Sequence, residues 1–394
     1  MAAPSFEIKE GNKITISINE ILGTSERIST TYQSFARDVK PNDKILLDDG
    51  KLELRALSTN DFEVECEVIV GGILKPNKGI NLPGVNISSP SMTEKDSEDA
   101  LFGLRNGVDY IALSFVRKAS DVHFLRKFML KNGFNKPIIA KIEKPEAINE
   151  LDEIIEAADG VMVARGDLGV ELPMEHVPVL QKMIAQETAL KGKILIVATQ
   201  MLETMTDNPF PTRAETNDVA NAVLDGADAV MLSGETSVGK YPVQTVTMMD
   251  KIVRKAEEIL PVRDIRTSDE KQTDVNDAIG RSACVLAKKV NASGIVVLTH
   301  DGETARKISS FRPKARIIVI TDNEFTLRQL NLVWGVHGFV LSDTPKQTKE
   351  GFEIIRKALV EEGFVKKGDY VVEVSGIPFF KSKNTDTIKV ELVE

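Results

Sequence analysis

Two periods of hydrophobic positions divide the chain. From residue 1 to about 88, apolar and polar residues alternate in short runs, at Lys13–Ile18, Arg27–Thr31, Lys44–Leu47, Lys51–Leu57 and Phe62–Val70. Alternation of period two predicts strands with one buried face. Asp48-Asp49-Gly50 between two of them is a hairpin signal. Short, regularly spaced strands with few helical stretches predict a small barrel or sandwich. Gly71-Gly72 and Lys75-Pro76-Asn77-Lys78-Gly79 form a loop leading out of it.

From about 89 to 260 the pattern becomes strand, helix, strand, helix. Continuous apolar runs stand at Tyr110–Phe115, Ile138–Ile142, Gly160–Ala164, Ile194–Thr199 and Ala229–Leu232. Amphipathic stretches such as Ser120–Asn132, Val177–Lys191 and Arg213–Gly226 lie between them. Buried strands alternating with helices predict a parallel sheet joined by right-handed crossovers. Polar residues gather where these strands end: Ser114, Lys141 with Glu143, Arg165-Gly166-Asp167, Thr199-Gln200 and Ser233–Thr236. That is where a (β/α)8 barrel carries its active site. Five such units are visible in this sequence, and a closed barrel of this kind takes eight and about 250 residues. The reading is therefore an incomplete barrel or an open sheet.

Pro261 and a dense run of charges mark a linker near Leu260–Gln272. Beyond it the alternation resumes: helix Asn276–Val290, strand Gly294–Leu298, helix Thr304–Ser310, strand Arg316–Ile320, two more helices, and a closing strand pair near Tyr370–Val374 and Thr387–Leu392. This predicts a doubly wound α/β domain.

The chemistry concentrates in Ile138–Glu143, where three apolar residues run into an ionisable pair. Lys141 and Glu143 are two apart on a strand and point to one side. Burying such a pair is costly. An isolated pair reads equally well as a structural ion pair. The similarly loaded ends of the neighbouring strands favour a site.

At 394 residues the chain predicts two or three domains. Its net charge of −9 argues against a nucleic-acid partner. Phosphorylated substrates stay open, because a divalent cation and a few lysines invert charge locally. No apolar run approaches the roughly 20 residues that span a bilayer, so no membrane partner is expected. The start, MAAPSFEIKEGNK, lacks the features of a signal peptide. Cys66 and Cys284 give neither a disulfide framework nor a metal knuckle. The expected location is the cytoplasm.

Seven segments carry a family resemblance: KGINLPGVNISSPSMTEKD (78–96), ALSFVRKASDV (112–122), IIAKIEKPEAI (138–148), VARGDLGVELP (163–173), ATQMLETM (198–205), NPFPTRAETNDVANAVLDGADAVMLSGET (208–236) and GKYP (239–242). In this order they resemble pyruvate kinase over essentially the whole chain. The resemblance implies a TIM-type (β/α)8 barrel, incomplete here, with an inserted small β-barrel domain as lid and a C-terminal α/β domain. The corresponding divisions are 1–88, 89–260 and 261–394. The five visible units are then barrel units four to eight. Units one to three would carry a substrate-phosphate arginine and the usual potassium ligands, and sequence upstream is expected to encode them.

The implied reaction moves a phosphoryl group from phosphoenolpyruvate to ADP, giving pyruvate and ATP, the last step of glycolysis. The match assigns Glu143 and Asp167 to Mg²⁺ (or Mn²⁺), Lys141 to charge on the phosphoryl group in flight, and Thr199 to the water that protonates the enolate. N–H groups of Gly166 and Asp167 would bind the substrate carboxylate. Asp167 also reads as a simple helix cap. From the lid, Lys78 and Asp48 match nucleotide-side residues, although Lys in a Gly/Pro loop and Asp in a hairpin are ordinary. Ser233 and Glu235 read as architectural, and Arg213 is left without a role. The family's effector loop corresponds to Thr299, Asp301, Gly302 and Thr304, where Asp301 and the adjacent Glu303 would repel a phosphate. Its usual partner turn corresponds to Phe380–Thr385. The resemblance also implies a homotetramer. The alternative is a non-catalytic, regulatory chain of the same fold. A lyase or aldolase barrel is disfavoured by the inserted and C-terminal domains.

Overall fold

The computed structural model describes residues 5–48, 50–85, 87–88, 91–260, 275–341, 348–377, 379–380 and 385–394. Asp49 of the hairpin turn, residues 261–272 of the expected linker and residues 381–384 of the effector turn lie outside them.

The first body holds strands β1 (Phe6–Ile8), β2 (Lys13–Ser17), β3 (Arg27–Ser29), β4 (Lys44–Leu47), β5 (Leu52–Thr59), β6 (Glu63–Val70), β7 (Gly72–Leu74) and β8 (Ile80–Asn81), with a short helix α1 (Phe35–Asp38). Six of these strands form one sheet in the order β3-β2-β6-β5-β4-β8, and β1 pairs with β7. The predicted alternation holds: Ile14, Ile16, Leu54, Val64 and Cys66 turn into a single core.

The second body is five parallel strands, β9 (Ile111–Leu113), β10 (Ile138–Ile142), β11 (Gly160–Ala164), β12 (Ile194–Ala198) and β13 (Ala229–Met231), adjacent in sequence order. Helices α2 (Glu94–Arg105), α3 (Ala119–Lys131), α4 (Pro145–Asn149), α5 (Leu151–Ala157), α6 (Arg165–Glu171), α7 (Val177–Leu190), α8 (Arg213–Asp225), α9 (Gly234–Ser237) and α10 (Pro242–Glu257) accompany them. β10 to β12 are buried on both faces, as their unbroken apolar runs require. At Gly160 the neighbouring strands approach so closely that a Cβ would stand 2.8 Å from Ile139 Cδ1 and 2.9 Å from the Ile194 carbonyl oxygen. Thr212 caps α8 in a reciprocal box with Glu215, which fixes where the helix begins.

The third body orders its strands β16-β15-β14-β17-β18: β14 (Gly294–Leu298), β15 (Arg316–Thr321), β16 (Val336–Val340), β17 (Tyr370–Ser375) and β18 (Thr387–Leu392). Only β18 runs antiparallel, closing the expected pair with β17. Helices α11 (Val275–Val290), α12 (Glu303–Ser310), α13 (Glu324–Leu330) and α14 (Thr348–Glu361) cover the sheet. β16 was not anticipated, because Val336-His337-Gly338 breaks the apolar run.

This body docks on the amino ends of the second sheet. Arg312, with its side chain 3% exposed, pairs with Asp228 at 3.0 Å and donates to the Gly226 carbonyl at 2.8 Å, both just before β13. Tyr110, just before β9, donates to the Gln329 carbonyl at 2.8 Å.

Candidate active site

The carboxyl ends of β10, β11 and β12 bring together the predicted residues. Lys141 is the fourth residue of β10, and Glu143 follows that strand directly. Their side chains meet at 2.6 Å, with Glu143 1% exposed and Lys141 23% exposed. Lys141 also donates to Ser114 Oγ at 2.9 Å. The second oxygen of Glu143 accepts the Phe115 N–H at 2.7 Å. A carboxylate so far out of water is held by one cation and one backbone donor.

After β11 the chain turns straight into α6. Asp167 is the third residue of that helix, and the capping position is Ala164, so the simple cap reading is corrected. The Gly166 N–H donates to Thr199 Oγ1 at 2.8 Å, and that hydroxyl donates to the Ala198 carbonyl at 2.7 Å. A Cβ on Gly166 would come to 3.3 Å from the same oxygen, so glycine permits the approach. The expectation that this N–H stands free for a substrate carboxylate is modified, because the Thr199 hydroxyl already holds it.

Backbone strain collects at the same strand ends. Phe115 (φ 54°), Thr199 (φ 67°) and Gln200 (φ 51°) occupy the left-handed region without being glycine. Such conformations persist where the surroundings over-determine them. For Thr199 the surroundings are supplied by Arg165. Its guanidinium clasps both oxygens of Asp218 at 2.7 and 2.6 Å and donates to the Thr199 carbonyl at 2.7 Å. Sequence reading noted Arg165 only as a polar residue at a strand end. Its role depends on Asp218, 53 positions away, and no local pattern signals that partner.

Glu235 is fully buried and accepts the Leu202 and Ser233 N–H groups, in keeping with its architectural reading. Arg213 is the first residue of α8. In the first body, Lys78 and Asp48 face each other at 2.7 Å, and Lys78 holds the Asp48 carboxyl below the usual carboxylate range. The first body reaches α6 beside Gly50, where a Cβ would touch Val170 at 3.9 Å. A cavity of about 870 Å³ lies along the β9 edge, lined by Tyr32 and Asn81 of the lid, Leu113, Phe115, Lys144 and Asp167.

The candidate effector loop follows β14, in the third body. Its backbone donors are satisfied internally: Gly302 N–H on Thr299 Oγ1 at 3.0 Å, and Glu303 N–H on Asp301 at 3.1 Å. Thr304 and Thr385 share a hydroxyl contact of 2.6 Å. The space between them is about 30 Å³.

Among the described residues no group of three or more His, Cys, Asp or Glu side chains could hold a metal by itself. The donors at hand are two carboxylates. An all-oxygen set supplying part of a coordination shell fits a hard cation that keeps substrate oxygens and water. It does not fit a soft or fully caged metal.

Comparison with known proteins gives concordant matches. The family described as pyruvate kinase, barrel domain, matches residues 2–246, and pyruvate kinase, alpha/beta domain, matches residues 277–391. Pyruvate kinase from Geobacillus stearothermophilus is 47% identical over 99% of this chain and 67% of its own length. Pyruvate kinase 2 from Synechocystis is 44% identical over 100% of this chain and 66% of its own. Pyruvate kinase from Corynebacterium glutamicum is 45% identical over 98% and 80%. A crystal structure of a pyruvate kinase from Cryptosporidium parvum superposes with a TM-score of 0.89 at 35% identity, covering 98% of this chain and 80% of that one. The chain thus spans about two thirds of the length of the first two relatives.

Proposed function

The chain belongs to the pyruvate kinase family of phosphotransferases, and we propose that it transfers the phosphoryl group of phosphoenolpyruvate to ADP through Lys141, Glu143, Asp167, Gly166 and Thr199. The family's substrates and products are phosphoenolpyruvate, ADP, ATP and pyruvate, and its members in general use a divalent cation and potassium. The observation that carries the reading is the convergence of Lys141 and Glu143 on one strand end, 2.6 Å apart, beside the Thr199–Gly166 contact on the next two strands.

Phosphoryl transfer depends on charge compensation and in-line positioning more than on covalent chemistry. Glu143 and Asp167 are the residues that would hold the cation, for which Mg²⁺ is our assignment and Mn²⁺ its substitute. That cation, when bound, neutralises charge on the oxygens of the transferring group. Lys141 places a positive charge where negative charge develops, first on the phosphoryl oxygens and then on the enolate oxygen. The bond from phosphorus to the enol oxygen breaks, and a bond to a terminal β-phosphate oxygen of ADP forms. The enolate carbon then takes a proton from a water oriented by the Thr199 hydroxyl, which yields pyruvate.

Lys78 and Asp48 belong to the lid over this site. On nucleotide binding Lys78 exchanges its partner Asp48 for phosphate oxygens, and closure excludes water. The divisions 1–88, 89–260 and 261–394 correspond to lid, catalytic sheet and C-terminal domain. We further assign the chain to the cytoplasm and to a homotetramer. For the location, the support is that Cys66 and Cys284 are free and buried, and no helix among the described residues is long and apolar enough to cross a membrane. Thr299, Asp301, Gly302 and Thr304 are the candidate effector loop, and Asp301 makes a phosphate ligand unfavourable there.

The test is pyruvate formation from phosphoenolpyruvate and ADP with Mg²⁺ and K⁺, beside Lys141→Met and after chelation of the divalent cation. Turnover lost at least about a hundredfold in the variant, and restored by Mg²⁺ after chelation, is the expected result. A folded wild-type chain without turnover refutes the reading.

A further inference from the structure

One buried carboxylate outside the residues assigned above joins three parts of the site. Glu171 ends α6, one helical turn after Asp167, and its side chain is 2% exposed. Its Oε1 accepts from Lys144 Nζ at 2.5 Å and from Asn81 Nδ2 at 3.2 Å. Lys144 directly follows Glu143, and its own side chain is 9% exposed. The Lys144 ammonium also lies 5.8 Å from the ring centroid of Phe115, whose N–H holds Glu143. Asn81 belongs to β8, the last strand of the lid. One residue before Glu171, Val170 lies 3.9 Å from where a Cβ at Gly50 of the lid turn would stand.

We propose that Glu171 is a positioning residue that latches the closed lid and couples its closure to the two cation-holding carboxylates. The argument is one of connectivity. A carboxylate so fully buried requires compensation. Lys144 supplies it from the segment that carries Glu143, and α6 carries Glu171 and Asp167 on one rigid turn. The third contact comes from the lid, so it exists only when the lid is down. An ion pair with a purely structural task needs no donor from a moving domain. With the lid raised, Glu171 retains Lys144 alone. Closure adds the Asn81 amide and draws α6 and the Glu143–Lys144 segment against β8. The inference rests on the phosphotransferase reading for its kinetic consequence, but the latch itself is a statement about lid and helix.

Two variants separate the arms. Asn81→Ala removes the lid contact and leaves the Lys144–Glu171 pair. The expected result is about a tenfold rise in KM for ADP, or 1.4 kcal/mol of closure, with KM for phosphoenolpyruvate within twofold. Glu171→Gln keeps an acceptor for Asn81 and leaves the Lys144 charge uncompensated. Its expected signature is about a tenfold rise in the Mg²⁺ concentration for half-maximal rate, with a smaller change in KM for ADP. Equal losses of kcat in both variants, with every KM and the Mg²⁺ dependence unchanged, overturn the proposal.

Amide exchange provides a readout that does not need turnover, and its wild-type arm needs no variant. In the wild-type chain, Mg²⁺-ADP is expected to slow exchange in residues 79–82 and 168–172 together. In Asn81→Ala the slowing in 79–82 is lost. Independent behaviour of the two segments in the wild-type chain overturns the latch. A wild-type chain that makes no pyruvate but protects both segments together instead refutes the catalytic reading alone.

Discussion

Glu373 lies in the middle of β17 at 1% exposure, and neither of its carboxylate oxygens has a hydrogen-bond partner. Its natural counter-charges are engaged elsewhere. Lys389, directly opposite on β18, pairs with Glu391 and lies 4.4 Å from the Phe352 ring centroid. Arg356 on α14 also pairs with Glu391, at 2.8 Å. Burial therefore pushes the Glu373 carboxyl from 4.5 up to about 7; Lys389 and Arg356 pull it down and Glu391 pushes it up. A carboxyl with a raised folded-state value keeps its proton in the native state after the unfolded chain has lost its own. Stability therefore falls as pH rises from 4.5 to about 7 and is level above that. At 1.36 kcal/mol per pH unit, that interval corresponds to about 3 kcal/mol. Glu373→Gln has nearly the shape of the protonated carboxyl and cannot ionise. The variant is expected to match the wild type at pH 4 within about 0.5 kcal/mol, an ordinary error of such comparisons, and to exceed it by about 3 kcal/mol at pH 8. Urea unfolding followed by tryptophan fluorescence measures this locally. Trp334 is the chain's single tryptophan and sits in the same body, with its indole N–H on Glu257 at 2.8 Å. Parallel pH profiles for the two proteins would refute the reasoning, because the buried carboxyl would then be ionised and compensated in the native state.

Thr199→Val removes the hydroxyl that accepts the Gly166 N–H. It is expected to lower kcat about a hundredfold, the ordinary scale for loss of a proton-transfer group, while Thr199→Ser keeps most of the rate. Steady-state kinetics in which serine and valine are equally impaired would mean that shape, not the hydroxyl, matters. Gly160→Ala forces a methyl into the 2.8 Å and 2.9 Å approaches to Ile139 and Ile194. A loss of about 1–3 kcal/mol is expected, read as a lower Tm in thermal unfolding, and an unchanged Tm would mean the strands separate without cost.

Much of this architecture could be read from periodicity because burial on two faces leaves a strong trace. β10, β11 and β14 are found at the predicted residues, and β12 ends one residue early, where Thr199 departs from strand geometry. β16 escaped because Gly338 sits where the Val319 carbonyl would lie 2.1 Å from any Cβ, so tertiary crowding selected a residue that looks like a strand breaker. The first body was legible as alternating strands, but its two-residue return strand β8 was not, being fixed by pairing with β4 rather than by its own composition. In the site, strand geometry put Lys141 and Glu143 on one side, and their roles came from the family resemblance. Asp167, Thr199, Lys78 and Asp48 gained their roles only from the family resemblance. The Arg165–Asp218 clasp and the Asn81–Glu171–Lys144 cluster have no local signature, since each joins residues tens of positions apart.

The docking of the C-terminal body has a consequence for how the chain can be divided. Ile139, Met162, Ile194 and Ile196 of the parallel sheet share one apolar cluster with Ile295, Ile308 and Phe311 of that body. Arg312 pairs with Asp228 across the same seam, at 3.0 Å and nearly out of water. Cutting the chain near residue 260 would strip apolar cover from the floor of the catalytic sheet and remove the cation paired with Asp228 at its base. The two halves are therefore not interchangeable modules that recombination could shuffle freely. Each covers an apolar face of the other, and they are expected to be inherited, and to fail, together.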